Sequence, residues 1–247
     1  MDITLLQNTH RELNIDWVEH IASTQSAVKN NGLLIAENQP AGVGRRGNHW
    51  LTVPGKSICF SLRLNLTSSV AGLSGYALII GVAVIETLLF FDTHTQARLK
   101  WPNDLYVNDK KFGGILINLT PKTSNTTDVT IGIGINWTLS DEQLASINQP
   151  VTNIPLSIKP KRAIFINQLV AQIKNNNQRF LADTLSSILP IWQQYDYLIG
   201  RHIMIKQNEQ MLHGKYCGIN PCGQLQAIID NQLKTFSAAE VSIRNHV

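Results

Sequence analysis

Two arginines inside a glycine loop, Gly42-Val43-Gly44-Arg45-Arg46-Gly47, are the first residues in this chain whose types and spacing could do chemistry. Glycine lets a backbone fold back on itself, so that amide N–H groups and guanidinium forks converge on one anion. The six residues also satisfy the G-x-G-x-x-G pattern of dinucleotide folds. That pattern requires a helix directly after it and an acidic residue roughly 20 positions on to hold a ribose. Neither is present. Asn48 to Gly55, with Pro54 near its end, is a poor helix start, and no Asp or Glu falls between Glu37 and Glu86. The acid-free stretch holds Arg45, Arg46, Lys56 and Arg63, which reads as a cradle for phosphate or carboxylate.

A second group follows: Lys100-Trp101-Pro102-Asn103-Asp104-Leu105, then Lys110-Lys111-Phe112-Gly113-Gly114-Ile115-Leu116. Asn and Asp in an apolar frame must find partners, and glycines after Lys111 leave room for a ligand against a strand. In an extended stretch Lys110 and Lys111 point to opposite faces, so one of them faces the ligand. The third group, Gly132-Ile133-Gly134-Ile135-Asn136-Trp137, sets small residues on one face of a strand. No serine or cysteine nucleophile is visible. Cys59 lies in an apolar run, and Cys217 and Cys222 lack a nearby pair of ligand residues, which argues against zinc and fits a reducing cytoplasm.

The elements that must position these groups follow from periodicity. A helix capped at Ser23-Thr24 runs from Gln25 to Asn30 and closes at Gly32; a buried strand follows at Leu33–Ala36. Further strands are expected at 57–66, 98–101, 105–107, 112–119 and 129–137, with a hairpin turn at Asn108-Asp109. Helices are expected over 71–91, 163–182 and 185–197. After Gly200 the texture changes to short strands at 203–205, 212–216, 225–229 and 241–243. The expected organisation is therefore a larger domain over 1–199 and a small β-barrel over 200–247. The fold class is α+β: a mixed sheet packed with helices, then an SH3-like barrel.

With 43% hydrophobic and 15% charged residues in 247, the chain is globular, and a net charge of +4 is too small for a dedicated nucleic-acid binder. The uncharged run 70–85 falls short of the ~20 strongly apolar residues of a membrane span, so a helix buried against a sheet is expected. The N-terminus shows no basic segment followed by an apolar core, hence no signal peptide.

Together the three groups resemble the catalytic domain of biotin protein ligases. That family carries a G-R-G-R-R-G loop, K-W-P-N-D-L, K-x-G-G-I-L and G-I-G-I-N in this order, and the match runs from Ser23 to the chain's end. The resemblance implies that Ser23, Thr24, Gln39, Gly42, Arg45, Gly114, Gly132 and Gly134 bind biotin. It sets Arg46, Trp50, Asn103, Asp104, Lys111, Asn136 and Arg244 on the nucleotide side, with Lys111 and Arg45 as the catalytic pair. No metal-ligand set is visible, and Asp104 is the residue the resemblance places near Mg²⁺. Two positions depart from the family: Val43 stands where arginine is common, and Gln25-Ser26 replaces Asn-Gln.

The implied activity is ATP-dependent activation of biotin to biotinoyl-AMP and transfer to a lysine of a biotin carboxyl carrier domain. The acceptor would belong to acetyl-CoA carboxylase or a similar biotin-dependent enzyme. ATP and biotin are the substrates and Mg²⁺ the assisting ion. About twenty residues precede Ser23, too few for a helix-turn-helix, so no nucleic-acid partner is expected; a sheet-edge homodimer stays open, and no membrane contact is expected. Two rivals remain at this point: a lipoate–protein ligase of the same fold, and a non-catalytic module holding biotinoyl-AMP.

Overall fold

The computed structural model describes residues 1–207, 210–238 and 241–245; for Val241, Ser242, Arg244 and Asn245 it describes the backbone alone. In chain order the elements are α1 (Thr4–Thr9), β1 (Asn14–His20), α2 (Thr24–Ala27), β2 (Gly32–Asn38), β3 (Ser57–Leu66) and α3 (Tyr76–Phe91). Next come β4 (Arg98–Lys100), β5 (Asp104–Val107), β6 (Lys110–Pro121), β7 (Thr127–Asn136), α4 (Asp141–Ala145), α5 (Arg162–Asp183) and α6 (Leu189–Tyr195). The chain ends in β8 (His202–Gln207), β9 (Gln210–Ile219), β10 (Leu225–Ile229), β11 (Gln232–Phe236) and β12 (Val241–Asn245).

Seven strands form one sheet in the order β1-β2-β3-β7-β6-β5-β4, with β1 and β2 parallel and the rest antiparallel. The expected mixed sheet is present. Its central strands alternate with period two. Ile58, Phe60 and Leu62 of β3 and Ile131, Ile133 and Ile135 of β7 belong to the core shared with α3 and α5. Cys59 and Ser61 therefore face the other way, in register with Gly134 and Gly132, which in turn pair with Gly114 and Leu116. That second face is the floor of the site.

The segment 71–91 is long and apolar enough to cross a membrane, yet α3 lies in the core with eleven of its sixteen residues buried. The single helix expected there is broken. Ala71–Leu73 is a 3-10 turn, and Gly75 at φ +73° kinks the chain where a Cβ would lie 3.2 Å from the Cα of Gly223. The helix expected at 185–197 divides likewise into a 3-10 turn, Thr184–Ser187, and α6, which carries Pro190 in its first turn. The helix expected from Gln25 to Asn30 is only α2. Ser23 makes no side-chain cap bond, and the backbone turns extended at Val28, which is buried in the core. The strands β1 and β11 and the short helices α1 and α4 carry too little periodicity to be expected from sequence.

The C-terminal strands form a five-stranded antiparallel sheet, β11-β10-β9-β8-β12, in keeping with the expected SH3-like unit. A boundary at residue 199 falls between α6 and β8, although one hydrophobic cluster holds residues from both sides of it. Polar contacts seal the same seam. Trp101 Nε1–H donates to the Gly223 carbonyl at 3.0 Å, and Tyr216 Oη–H donates to Asp196 at 2.6 Å.

Burial pushes the Asp196 carboxyl up to about 6, against the pull of its bonds from Tyr216 and the Leu198 amide. An unfolded aspartate titrates near ~4. Between about pH 4 and 6 the folded protein thus keeps a proton the unfolded chain has lost, so stability falls as pH rises through that window. The loss approaches ~3 kcal/mol above pH 6. Asp196→Asn is expected to flatten this slope in denaturant unfolding at pH 4.5 and 7.5. An identical slope in both proteins would remove Asp196 from the account.

Candidate active site

One cavity of about 1380 Å³ opens on the glycine-floored face of the large sheet, bounded by the glycine loop, the β5–β6 hairpin and the C-terminal sheet. A pocket for one small molecule runs to roughly 300–1,000 Å³, so this volume suits two ligands side by side. Its ends differ chemically.

At the cationic end, Lys111 Nζ lies 2.6 Å from Asp104 Oδ1 and 5.6 Å from the Trp50 ring centroid. A bulge aims Lys111 there. Asn108 and Asp109, at φ +48° and +60°, make the two-residue turn expected for this hairpin. Val107 then pairs with Lys110 and Tyr106 with Lys111, but Leu105 pairs with Gly113, leaving Phe112 as the extra residue. Phe112 is fully buried in the core, Lys110 is exposed, and Lys111 shares the face of Gly114, whose Cβ would lie 3.3 Å from Lys111 Cε. Arg45 donates to Asn103 Oδ1 at 3.2 Å and to the Ala238 carbonyl, which ties the loop to the C-terminal unit. Burial, then the Arg46 charge, lowers the Arg45 pKa. Arg46 itself is exposed at φ +59°. Asn103 Nδ2 is committed to the Ile115 carbonyl at 2.6 Å.

Lys100 also faces the cavity. It is nearly buried, 3.4 Å from Tyr106 Oη and 4.8 Å from the Tyr106 ring centroid, and burial lowers its pKa. Sequence reading passed over it because one lysine at a strand end carries no signal of depth.

At the other end the lining is polar and uncharged. Thr24 N–H donates to Gln39 Oε1 at 2.6 Å, Thr24 Oγ1 lies 2.8 Å from Ser61 Oγ, and Ser61 donates to Gln25 Oε1 at 2.9 Å. Between the ends, Trp50 lies flat on the floor; a Cβ on Gly134 would come within 2.4 Å of its Cε2. Cys59 is the sulfur of this floor, and burial pushes its thiol up to about 12, so it is no nucleophile.

Of the residues expected at the site, the cavity brings together Ser23, Thr24, Gln39, Gly42, Arg45, Arg46, Trp50, Asn103, Asp104, Lys111, Gly114, Gly132 and Gly134. Asn136 stands apart: it is buried and donates to the Thr152 carbonyl at 3.0 Å, holding the segment that precedes it at the cavity rim. Arg244 pairs with Met204 across β12 and β8, and its side chain lies outside the described residues. The neighbouring Lys206 and Ile243 do line the cavity. Two basic residues of the acid-free stretch also stay out of it. Arg63 is bound to Asp128 at 2.8 Å and Lys56 reaches Gln143. Among the described residues no group of three His, Cys, Asp or Glu could hold a metal ion. The cavity's carboxylates among the described residues are Asp104 and Asp109.

Residues 14–136 match the family model described as the biotin/lipoate A/B protein ligase family. The bifunctional ligase/repressor BirA of Escherichia coli (strain K12) is 31% identical over 219 residues, covering 88% of this chain and 68% of that protein. The biotin--[acetyl-CoA-carboxylase] ligase of Paracoccus denitrificans is 24% identical over 78% of this chain and 82% of its own length. In fold, the biotin protein ligase from Aquifex aeolicus in complex with biotin and ATP superposes with a TM-score of 0.78 at 24% identity, covering 94% of this chain and 99% of that one. The chain belongs to the biotin/lipoate A/B protein ligase family. Within it, the Paracoccus denitrificans and Aquifex aeolicus proteins are named as biotin ligases.

Proposed function

We propose that the chain activates biotin with ATP to biotinoyl-AMP and transfers it to a lysine of a biotin carboxyl carrier domain. The observation that carries this reading is the two-ended cavity. Lys111, Arg45 and Arg46 crowd one end, where a carboxylate and a nucleotide phosphate must meet. Thr24, Ser61 and Gln39 line the other end, which suits a ureido head that both donates and accepts hydrogen bonds. The dithiolane of lipoate offers no N–H or carbonyl to a hydroxyl- and amide-lined end, which favours biotin over the lipoate reading.

In the first step a biotin carboxylate oxygen attacks the α-phosphorus of ATP, the bond from that phosphorus to the bridging oxygen breaks, and pyrophosphate leaves. In the second, an acceptor amine attacks the acyl carbon, AMP departs and the amine sheds a proton. Lys111 and Arg45 supply positive charge where two anions are forced together. Asp104 holds the Lys111 ammonium at the cavity. Mg²⁺ arriving on the ATP phosphates asks little of the protein, and Asp104 is the residue that would meet it. These charges favour a catalyst over a module that only stores the adenylate. The reading includes no nucleic-acid partner, because the cavity's cations line a pocket instead of an open stripe. It places the chain in the cytoplasm and allows pairing of two copies along β1, one of the two outer strands of the sheet.

Pyrophosphate release should require both ATP and biotin, and mass spectrometry of an acceptor domain offered biotin and lipoate together should show the biotin adduct. A lipoyl adduct, or none, would reject the proposal. The loop gives a second readout. Trypsin should cut at Arg46, which is exposed, faster than at Arg45, and biotin plus ATP should slow both. Equal cutting with and without ligands would mean the loop does not close over them.

A further inference from the structure

One side chain spans the polar end of the cavity. Gln25, the first residue after the Ser23-Thr24 pair, reaches across the floor from α2. Its Nε2 donates to the Thr130 carbonyl on β7 at 3.1 Å and to the Leu116 carbonyl on β6 at 3.5 Å, while its Oε1 accepts from Ser61 on β3. Three strands therefore hold one amide. Beneath it Gly132 supplies the room, since a Cβ there would lie 2.4 Å from Gln25 Oε1. The two floor glycines thus serve different covers: Gly134 carries Trp50 from the loop, and Gly132 carries Gln25 from a helix anchored in the core through Val28. One cover rides on a loop and the other is fixed.

We infer that Gln25 is a specificity-determining residue: it walls the head-group end of the acid-binding slot and sets how large a ring the slot admits. The inference rests on the biotin reading above and adds the residue that enforces it. Every hydrogen-bonding atom of the Gln25 amide points to the protein, two donors to carbonyls and the acceptor to a hydroxyl, so it presents a wall more than a free partner to the ligand. An asparagine at this position would be one methylene shorter. Because the wall is a side chain and not backbone, shortening it should lengthen the slot without moving the sheet.

The test uses the full-length chain and pyrophosphate release with biotin and with the two isomers of biotin carrying one N-methyl group on the ureido ring. Wild type should reject both isomers by about two orders of magnitude in kcat/KM relative to biotin, because close-packed walls tolerate little added volume. Gln25→Ala should relax that ratio at least tenfold for one isomer, and Gln25→Asn should do so by a smaller factor. The ratio is internal to each protein, so partial misfolding does not move it. If Gln25→Ala fails to fold, Gln25→Asn alone carries the test. Unchanged ratios in a folded variant, or a wild type that takes a methylated acid as readily as biotin, would overturn the inference. Failure of wild type to use biotin at all would instead strike the functional reading on which it stands.

Discussion

Replacing Lys111 by alanine is expected to slow ATP- and biotin-dependent pyrophosphate release by roughly 10²–10³, the usual effect of removing one preorganised charge from a developing transition state. The ammonium sits where the hairpin bulge aims it, 2.6 Å from Asp104 and against Trp50. Transfer from supplied biotinoyl-AMP should suffer less, since pyrophosphate has left and a single phosphate remains to be steadied. Part of the loss will come from Asp104, which keeps its charge and repels the incoming phosphates once its partner is gone. A Lys111→Ala, Asp104→Asn double variant should therefore recover part of the rate in the first step. Lys110→Ala should leave that step close to wild type, since Lys110 is exposed and absent from the cavity lining. A Lys110→Ala defect equal to that of Lys111→Ala would refute the assignment.

That pair of lysines also shows where sequence reading reaches its limit. Strict alternation counted back from Gly114, which faces the cavity, aims Phe112 and Lys110 at the ligand and Lys111 at the core. The bulge at Phe112 inverts this, and nothing in Lys110-Lys111-Phe112-Gly113 announces a bulge. The motif resemblance pointed to Lys111 where periodicity alone would have pointed to its neighbour. By contrast β3 and β7 were legible almost to the residue, because alternating Ile and Gly on a buried sheet leave one register compatible with burial. The short α2 was misread as a longer helix because the pull of Val28 into the core is a tertiary effect. Gln25 entered only as a departure from a family pattern. Its contacts reach β6 and β7, roughly ninety to a hundred residues away, and no local signal encodes such a distance. Arg63 and Lys56 failed for the complementary reason: a count of acids along the chain sees no carboxylate near them, whereas Asp128 lies beside Arg63 in space.

The tryptophan of the Lys-Trp-Pro-Asn-Asp run illustrates a different trade between stability and chemistry. Trp101 is 2% exposed, packed within the shared core, and its indole N–H is given to the Gly223 carbonyl across the seam. Trp101→Ala should therefore cost ~3–5 kcal/mol of unfolding free energy, as expected when a large buried aromatic is truncated. Trp101→Phe keeps most of the apolar volume but leaves the Gly223 carbonyl without its donor, which should cost ~1–3 kcal/mol. Denaturant unfolding monitored by circular dichroism measures both losses. If Trp101 instead acts mainly on the ligand, Trp101→Phe would raise the KM for biotin or ATP several-fold while its unfolding curve stayed on that of wild type. The structure requires the reverse order: stability falls first, and trypsin begins to cut after Arg201, at the junction of the two units, before any change in KM appears among the molecules that remain folded.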